Sequence, residues 1–387
     1  MRIGIFVSFN SLVIDKEIYP TRIAGDILQT YWIVKYVKKN YDIDFRNNLK
    51  GNDINHFSFF SFFIFGSHDV FKVGINPNFC NFLYYNLFNS FSFFVRLLSK
   101  NDLFRPMLFY YNIVKFFLRN RDYISKMIDR FIKGGNLRYI IVNSELENRE
   151  FYKFLKTFGV DADSLDFYVI PNPLDYEEIE YLLDTNYFDF EEFKRTYKIP
   201  SEYVLVVGRF DRVKNIVNFI NHYTHRKLDK QIPLVVLGVD QEYDKKYYLD
   251  LKRKACSSVI IINTNEIQTE YRGKERYFFY RKICLELLRR SYLVVIPSIV
   301  ESFSLVGLEA MYMNKPLIIT QNSPYKEIFR DYLGRSIKLI DPLKMDLSFD
   351  LFHFDDYTHM SDYIRNNFGI HIIAPRYFEV WKKYVGD

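Results

Sequence analysis

The sequence contains only three cysteines, and their positions exclude a disulfide-stapled protein or one built on zinc knuckles. Cys80, Cys256 and Cys284 are odd in number and widely spaced along 387 residues. A disulfide framework or a structural zinc site needs sets of cysteines at short spacings. This cysteine usage is typical of a chain that resides in a reducing compartment.

The sequence also lacks a long apolar run. Its most apolar stretch, residues 57–65, is much shorter than the roughly 20 residues that span a bilayer as a helix. The N-terminus enters an apolar strand directly and shows no small-residue cleavage site, so we predict no signal peptide. We therefore expect a cytoplasmic location.

A strong charge imbalance is absent as well, since the formal net charge is +6. A value this small does not require a nucleic-acid partner, and it is compatible with anionic small molecules or a weakly attractive membrane surface. The basic clusters at 252–254, 272–276 and 289–290 are expected on exposed helix faces and loops. Contact of these clusters with anionic lipid headgroups, which would make the protein peripheral at a membrane, is the alternative.

What is present is an alternation of short apolar runs with amphipathic segments, repeated in two halves. Strands are predicted at residues 3–8, 107–111, 139–142, 167–170, 203–207, 234–237, 259–262, 292–296 and 317–320. Helices are predicted at residues 22–39, 122–132, 146–158, 215–223, 243–254, 277–290, 304–313 and 375–385. Strands separated by helices indicate parallel pairing, so we predict the α/β class with two doubly wound sheets. The two prolines of residues 169–175 break the chain between the halves.

Basic side chains follow the first strand of the second half. Gly208 permits a tight exit from the sheet, and Arg209 and Lys214 project from the loop that leads into the next helix. A forked guanidinium, a point charge and a helix N-terminus together suit a diphosphate. A solvated basic loop is the alternative interpretation.

Acidic side chains follow the strand at 292–296. Glu301 lies in the loop, and Glu309 lies eight residues further on, inside the next helix. The start of that helix offers backbone N–H groups to an anion, and carboxylates accept hydrogen bonds from hydroxyls. Such a loop could hold a sugar and a ribose on either side of a phosphate. A capped helix with incidental acidic residues is the alternative.

Together these residues resemble the retaining glycosyltransferase family 4, the glycosyltransferase group 1 proteins of GT-B fold. Further similar segments are residues 139–144, 169–172 and 316–320, so the resemblance covers about half of the chain. The matching positions are Gly208, Arg209, Lys214, Asn215, Pro297, Ser298, Glu301, Glu309, Ala310 and Met311.

The resemblance implies two Rossmann-like domains that face each other across a cleft. It places an acceptor domain at residues 1–175, a nucleotide-sugar donor domain at 176–372, and a last helix at 373–387 that returns to the N-terminal domain. It implies transfer of a sugar from a UDP- or GDP-sugar to a hydroxyl of a glycan, lipid or protein, with retention of anomeric configuration. It also implies that no cofactor and no essential metal are required, with the nucleotide sugar as the donor substrate.

Residue roles follow from the same resemblance. Arg209 and Lys214 would neutralise the diphosphate and the charge on the leaving group, Glu301 would face the transferred sugar, and Glu309 would hold the ribose. Backbone N–H groups in the stretch from Ser302 through Phe303 and Ser304 to Leu305 would contact phosphate. An acceptor-side histidine is expected at His68, beside Asp69, with His56 as the alternative.

The sequence departs from the family pattern at several positions. The family's Glu-Gly-Phe-Gly has serine at both glycine positions here, Ser302 and Ser304, so Ser302 could restrict a close backbone approach or the hydroxyls could add hydrogen bonds. Asn172-Pro173 replaces the usual Asn-Gly. His222 and His225 lie three apart but have no evident third metal ligand. Alternative functions are a GT-B epimerase or phosphorylase, or a non-catalytic scaffold that binds glycan or protein.

Overall fold

The computed structural model describes residues 1–6, 12–14, 18–20, 25–46, 54–58, 73–76, 137–157, 161–186, 188–240, 245–354 and 358–385. Its strands are β1 Arg2–Phe6, β2 Leu12–Ile14, β3 Ile18–Pro20, β4 Asp44–Arg46, β5 Ile54–Ser58, β6 Val73–Asn76, β7 Leu137–Val142, β8 Asp166–Val169, β9 Val204–Phe210, β10 Leu234–Asp240, β11 Val259–Asn263, β12 Leu293–Ile296, β13 Leu317–Thr320 and β14 Ile337–Ile340. Its α-helices are α1 Gly25–Asn40, α2 Glu145–Thr157, α3 Tyr176–Asp184, α4 Phe190–Thr196, α5 Ile216–His225, α6 Lys245–Lys254, α7 Gly273–Arg290, α8 Leu305–Tyr312, α9 Tyr325–Ile328, α10 Phe349–Phe352, α11 Ser361–Phe368 and α12 Ile370–Val385.

The first compact unit comprises Met1–Asn10, Val37–Pro171 and Arg376–Asp387. Its described strands form a parallel sheet in the order β4-β1-β5-β6-β7-β8. The predicted strand at 107–111 and the predicted helix at 122–132 lie outside the described residues. The predictions at 3–8, 139–142, 146–158 and 167–170 are confirmed as elements, with ends that differ by at most two residues.

The second compact unit comprises Ser11–Tyr36 and Asn172–Pro375, and it contains the residues of the sequence motifs. Its sheet is parallel in the order β11-β10-β9-β12-β13-β14. The central parts of its strands are apolar because both faces of a parallel sheet are covered by helices. The side chains of β12 and β13 are accordingly buried along their whole length.

Loops that follow adjacent strands are tied together at the carboxyl edge of this sheet. β9 lies between β10 and β12, so the loops after β9 and β12 emerge side by side. The Ile299 N–H donates to the Val213 carbonyl at 2.8 Å. The buried Asn215 amide donates to the carbonyls of Pro297 and Pro342, at 3.2 and 2.8 Å. These bonds bring the two sequence motifs into one place.

The last helix differs from its prediction, since α12 begins at Ile370 rather than at Pro375. Proline usually marks a helix start because it lacks an N–H. Here the turn before Pro375 is held in place by Leu174. The Leu174 N–H donates to Phe368 O at 2.7 Å, and the Ile370 N–H donates to Leu174 O at 2.9 Å. None of the described helices is long and apolar enough to cross a membrane.

Candidate active site

The centre of the site is an ion pair between Lys214 and Glu301. Lys214 lies in the turn after β9, Glu301 lies in the loop after β12, and Lys214 Nζ is 2.6 Å from Glu301 Oε1. The Lys214 side chain is 21% exposed, whereas that of Glu301 is 3% exposed. The ammonium group is therefore accessible at the sheet edge, and the carboxylate beneath it is held in a low-dielectric surrounding.

Asp211 joins Arg209 to the same cluster, and the sequence analysis did not identify it. Arg209 Nε donates to Asp211 Oδ2 at 2.8 Å, and the Lys214 backbone N–H donates to Asp211 Oδ1 at 3.1 Å. The Asp211 side chain is buried and Arg209 is partly exposed. Asp commonly stabilises a turn by accepting a hydrogen bond from the backbone N–H three residues later. The spacing between Asp211 and Lys214 could therefore have identified this residue from the sequence.

The Glu301 carboxylate is oriented by its own loop. Ser298 Oγ donates to Glu301 Oε1 at 2.5 Å. The Glu301 backbone N–H donates to the carbonyl of Asn322, which follows β13, at 3.0 Å. Asn322 in turn donates its side-chain amide to Ile299 O at 2.9 Å. The loop is thus fixed by β13 as well as by β9, so Glu301 has a defined position.

A helix, α8, begins four residues after Glu301, at Leu305. Ser304 is the N-cap residue of α8, and its hydroxyl accepts from Gly307 N–H at 3.3 Å. Its φ is +81°, which is a region that favours glycine. The family glycine at this position is thus replaced by a serine that keeps the glycine-type backbone. The N–H groups of the first turn and the helix dipole favour an anion there.

Tyr325 packs under this helix start. Its hydroxyl donates to Ser304 O at 2.8 Å, and a Cβ on Gly307 would lie 2.4 Å from that hydroxyl, so only glycine fits at position 307. Burial raises the pKa of Tyr325 well above its ordinary value, and the charges of Glu301 and Glu309 raise it further. Both motif glutamates therefore lie near the Tyr325 ring.

Glu309 has a different partner from the other motif residues. Its Oε1 accepts from Arg281 Nη2 on α7 at 2.7 Å, and the two side chains are 1% and 2% exposed. The structure thus brings Lys214 and Glu301 into contact, links Arg209 to them through Asp211, and couples Glu309 to Arg281. Nothing in the local sequence indicated Arg281, because its role depends on how α7 packs against α8.

The remaining predicted residues of this loop lie mostly in the interior. Ser302, Phe303 and Leu305 are buried, and the Phe303 ring packs near Tyr325 and Phe368 with centroids 6.1 and 5.9 Å apart. The Phe303 side chain therefore anchors the loop in the core. Any contact of this stretch with a ligand falls to backbone N–H groups and to the Ser304 hydroxyl.

None of the histidines considered in the sequence analysis is placed in the Lys214–Glu301 cluster by the described structure. His68 lies outside the described residues, and His56 lies on β5, paired with Ile5. His222 and His225 lie in the last turn of α5. Throughout the described ranges, no three His, Cys, Asp or Glu side chains are grouped so that they could hold a metal ion.

Two cations, a buried carboxylate and a helix start thus meet at the carboxyl edge of a parallel sheet. This edge is where doubly wound sheets bind ligands. The cations and the helix start suit a diphosphate, and a carboxylate accepts hydrogen bonds from hydroxyls. The arrangement is chemically suited to a sugar linked to a pyrophosphate.

Solved structures define the class of this fold. AviGT4, a glycosyltransferase involved in avilamycin A biosynthesis, is similar with a TM-score of 0.52 at 13% identity, covering 100% of this chain and 98% of that chain. The trehalose-6-phosphate synthase OtsA gives 0.57 at 10% identity, covering 98% and 91%. The E. coli trehalose-6-phosphate protein bound with UDP-2-fluoro glucose gives 0.53 at 11%, covering 98% of both chains. The chain has the GT-B fold of glycosyltransferases.

The second half also matches a family model. Residues 189–339 match the family described as Glycosyl transferases group 1. This range includes β9, β12 and α8, and therefore the whole Lys214–Glu301 cluster. Over these residues the chain is similar to the group 1 glycosyltransferases, in agreement with the resemblance stated from the sequence motifs.

Proposed function

We propose that the protein transfers a sugar from a UDP- or GDP-sugar to a hydroxyl of a glycan, lipid or protein, with retention of anomeric configuration. The observation that carries the proposal is the contact between Lys214 Nζ and Glu301 Oε1 at 2.6 Å, at the carboxyl ends of neighbouring strands. A diphosphate and a sugar are covalently joined in such a donor, so the cation and the carboxylate that recognise them have to be adjacent.

The basic residues act on the diphosphate. When the donor binds, the Lys214 ammonium moves its hydrogen bond from Glu301 to a phosphate oxygen, and Arg209 adds N–H donors from the other side of Asp211. As the glycosidic bond breaks, negative charge develops on the leaving nucleoside diphosphate. Fixed cations in a partly desolvated site stabilise that charge, which is the largest catalytic contribution that this site offers.

Glu301 acts on the sugar. Once Lys214 has turned to the phosphate, Oε1 of Glu301 keeps the hydrogen bond from Ser298 and gains room for a sugar hydroxyl. The carboxylate then orients the sugar with its anomeric carbon toward the acceptor. Retention is supported by the resemblance to family 4, whose motif glutamate occupies this position.

The helix start and Glu309 complete the donor site in this proposal. Backbone N–H groups between Ser302 and Leu305 contact the phosphate, and Glu309 accepts a hydrogen bond from the ribose. His68 remains the predicted acceptor-side residue. No essential metal is included, because Arg209, Lys214 and the helix dipole supply the positive charge. A UDP-linked donor is supported by the fold-related E. coli protein bound with UDP-2-fluoro glucose.

The test is a thermal-shift screen of the full chain against a panel of UDP- and GDP-sugars, followed by product analysis. A donor at 100 times its Kd stabilises the folded state by about 2.7 kcal/mol, which is readily measured. With the best donor and a set of hydroxyl acceptors, we expect a new glycoside, one equivalent of free nucleoside diphosphate, and retained configuration by proton NMR.

Other outcomes of the same screen would contradict the proposal. An isomerised nucleotide sugar without a new glycoside would indicate an epimerase. A sugar phosphate formed in the presence of inorganic phosphate would indicate a phosphorylase. The absence of a shift with every nucleotide sugar would indicate a non-catalytic scaffold. Inversion at the anomeric carbon would contradict only the retaining mechanism.

A further inference from the structure

Arg281 is a fully buried cation that the donor-site motifs do not include. It lies on α7, and its Nη2 donates to Glu309 Oε1 at 2.7 Å. The guanidinium carbon lies 5.8 Å from the centroid of the Trp32 ring. Burial by itself lowers the pKa of Arg281, but the neighbouring Glu309, Tyr277 and Cys284 together outweigh burial and raise it.

This ion pair is poorly built as a source of stability. The buried Arg281 Nε has no hydrogen-bond partner. Burying two charges stabilises a fold only when the geometry is excellent and the remaining donors are satisfied. Arg281 leaves one donor unsatisfied and directs another at a single oxygen of Glu309. The placement of Arg281 is therefore better explained by a role in orienting the Glu309 carboxylate than by a contribution to stability.

The other oxygen of Glu309, Oε2, accepts no hydrogen bond from the described residues. Within the described part of the chain, the bond from Arg281 is the hydrogen bond that the Glu309 carboxylate accepts, and it engages Oε1 alone. An ionised carboxylate offers about four lone-pair sites. With Oε1 fixed, the plane of the carboxylate and the direction of Oε2 are fixed as well.

We propose that Arg281 is a positioning residue that acts through Glu309. It holds the carboxylate so that Oε2 accepts a hydrogen bond from one ribose hydroxyl of the nucleotide donor. The inference rests on the proposed function, because it requires a nucleotide at this site. It adds a residue on α7, which precedes the Glu301 loop in the chain, to the machinery that recognises ribose.

The adjacent residue, Lys282, is a matched control. It is also a buried cation on α7, with a side chain that is 5% exposed. Its Nζ donates to the carbonyls of Leu182 and Leu183 at the end of α3, at 2.9 and 3.0 Å. Replacing Lys282 removes a buried charge from the same helix without altering the partner of Glu309.

The experiment measures the affinity of the full chain for UDP and GDP, and for their 2′-deoxy and 3′-deoxy forms, by isothermal titration calorimetry. For the wild type, we expect one deoxy form of the better nucleotide to bind about tenfold more weakly, since a hydrogen bond to a charged group is lost. Arg281→Lys should bind the ribonucleotide about tenfold more weakly and the deoxy form equally well. Lys282→Met should keep the wild-type ratio.

A second variant covers the case in which Arg281→Lys does not fold. In Arg281→Met/Glu309→Leu both charges are replaced by apolar groups of similar volume, a change that folds tend to tolerate. This variant should bind ribonucleotide and deoxynucleotide with equal affinity. Equal losses for both nucleotides in Arg281→Lys, or a wild-type ratio in the double variant, would overturn the inference. A wild type that binds neither UDP nor GDP would instead overturn the proposed function.

Discussion

Lys214 Nζ lies 2.6 Å from Glu301 Oε1, so the cation that would bind a donor phosphate is already neutralised by a protein carboxylate. Ser298 Oγ, in the same loop, donates a hydrogen bond to Glu301 Oε1 at 2.5 Å. A diphosphate that enters this site therefore competes with Glu301 for Lys214. This competition gives the two residues opposite effects on the binding of a bare nucleoside diphosphate.

Glu301→Gln should tighten the binding of UDP or GDP while it abolishes sugar transfer. The neutral amide keeps the shape of the side chain but holds the Lys214 ammonium more weakly than the carboxylate does, so the phosphate meets a weaker internal competitor for that cation. A gain of about three- to tenfold corresponds to the roughly 1 kcal/mol of a partly exposed ion pair. Isothermal titration calorimetry gives the affinity, and release of nucleoside diphosphate from the donor gives the turnover.

Glu202→Gln is the charge-matched control for this variant. Glu202 is exposed and lies just before β9, at the opposite end of that strand from Lys214. If the change acted only through net charge, both variants would bind the nucleotide more tightly to the same extent. Weaker binding by Glu301→Gln would show that the carboxylate does not compete with phosphate for Lys214.

Ser304→Gly should stabilise the protein by about 0.5–1 kcal/mol. Ser304 has a φ of +81°, a conformation that costs a non-glycine residue on the order of 1 kcal/mol or more, and glycine is also a tolerated N-cap. Ser302 is not among the residues with positive φ, so Ser302→Gly should destabilise by about 0.5–1 kcal/mol through chain entropy. Urea unfolding distinguishes the two, and equal effects of both substitutions would contradict the difference in backbone conformation.

Lys282→Met should lower the free energy of unfolding by about 1–3 kcal/mol. The Lys282 ammonium donates to three carbonyls at the end of α3, those of Leu182, Leu183 and Thr185. Burial lowers the pKa of Lys282, which shows that its charge is costly to bury. Removing the side chain nevertheless destabilises the fold, because the three carbonyls lose their shared donor. Urea unfolding of the purified variant measures the loss, and an unchanged unfolding midpoint would show that the carbonyls find other partners.

The protein should lose stability steeply above about pH 10. Burial raises the pKa of Tyr31, Tyr277 and Tyr325 above the ordinary value of 10.0. Below pH 10 these groups are protonated in both states, and above it they ionise only in the unfolded chain. Each therefore lowers the free energy of unfolding by up to about 1.4 kcal/mol per pH unit. Urea unfolding between about pH 8 and about pH 11 measures the slope.

Tyr277→Phe tests the origin of that slope. It removes one buried phenol and its hydrogen bond to Glu178, which is 2.7 Å long. The variant should be less stable at neutral pH but should show a shallower decline above pH 10. A slope identical to that of the wild type would mean that the Tyr277 hydroxyl already ionises in the folded state.

The sequence predicts five of the six strands of the second sheet, β9 to β13, because each contains a continuous apolar run, whereas β14, which is interrupted by Lys338, was not predicted. β13 has the predicted bounds, 317–320, and β9 to β12 differ from their predicted bounds by at most three residues at either end. In the first unit, β5 and β6 were not predicted, since they have only five and four residues and border a segment rich in aromatics. Short strands without alternation carry little signal from periodicity alone.

The residues of the candidate site also fall into those that the sequence predicts and those that it does not. Convergence of Lys214 and Glu301 follows from two strand-end motifs and the rule that ligands bind at the carboxyl edge of a parallel sheet. Arg281 could not be predicted, because its contact with Glu309 depends on the packing of two helices. The glycine-type backbone of Ser304 was not predicted either, since serine itself gives no indication of a positive φ.

The most direct test of the donor-site assignment is the affinity of Lys214→Met for UDP and GDP, measured by isothermal titration calorimetry beside wild type and Lys338→Met. Lys338, a lysine on β14 of the same sheet, donates to Asp350 O at 2.9 Å and serves as the control. We predict that Lys214→Met binds the preferred nucleotide at least about tenfold more weakly, the loss expected for a charge-assisted hydrogen bond, and that Lys338→Met binds it as wild type does. Wild-type affinity in Lys214→Met would contradict the assignment.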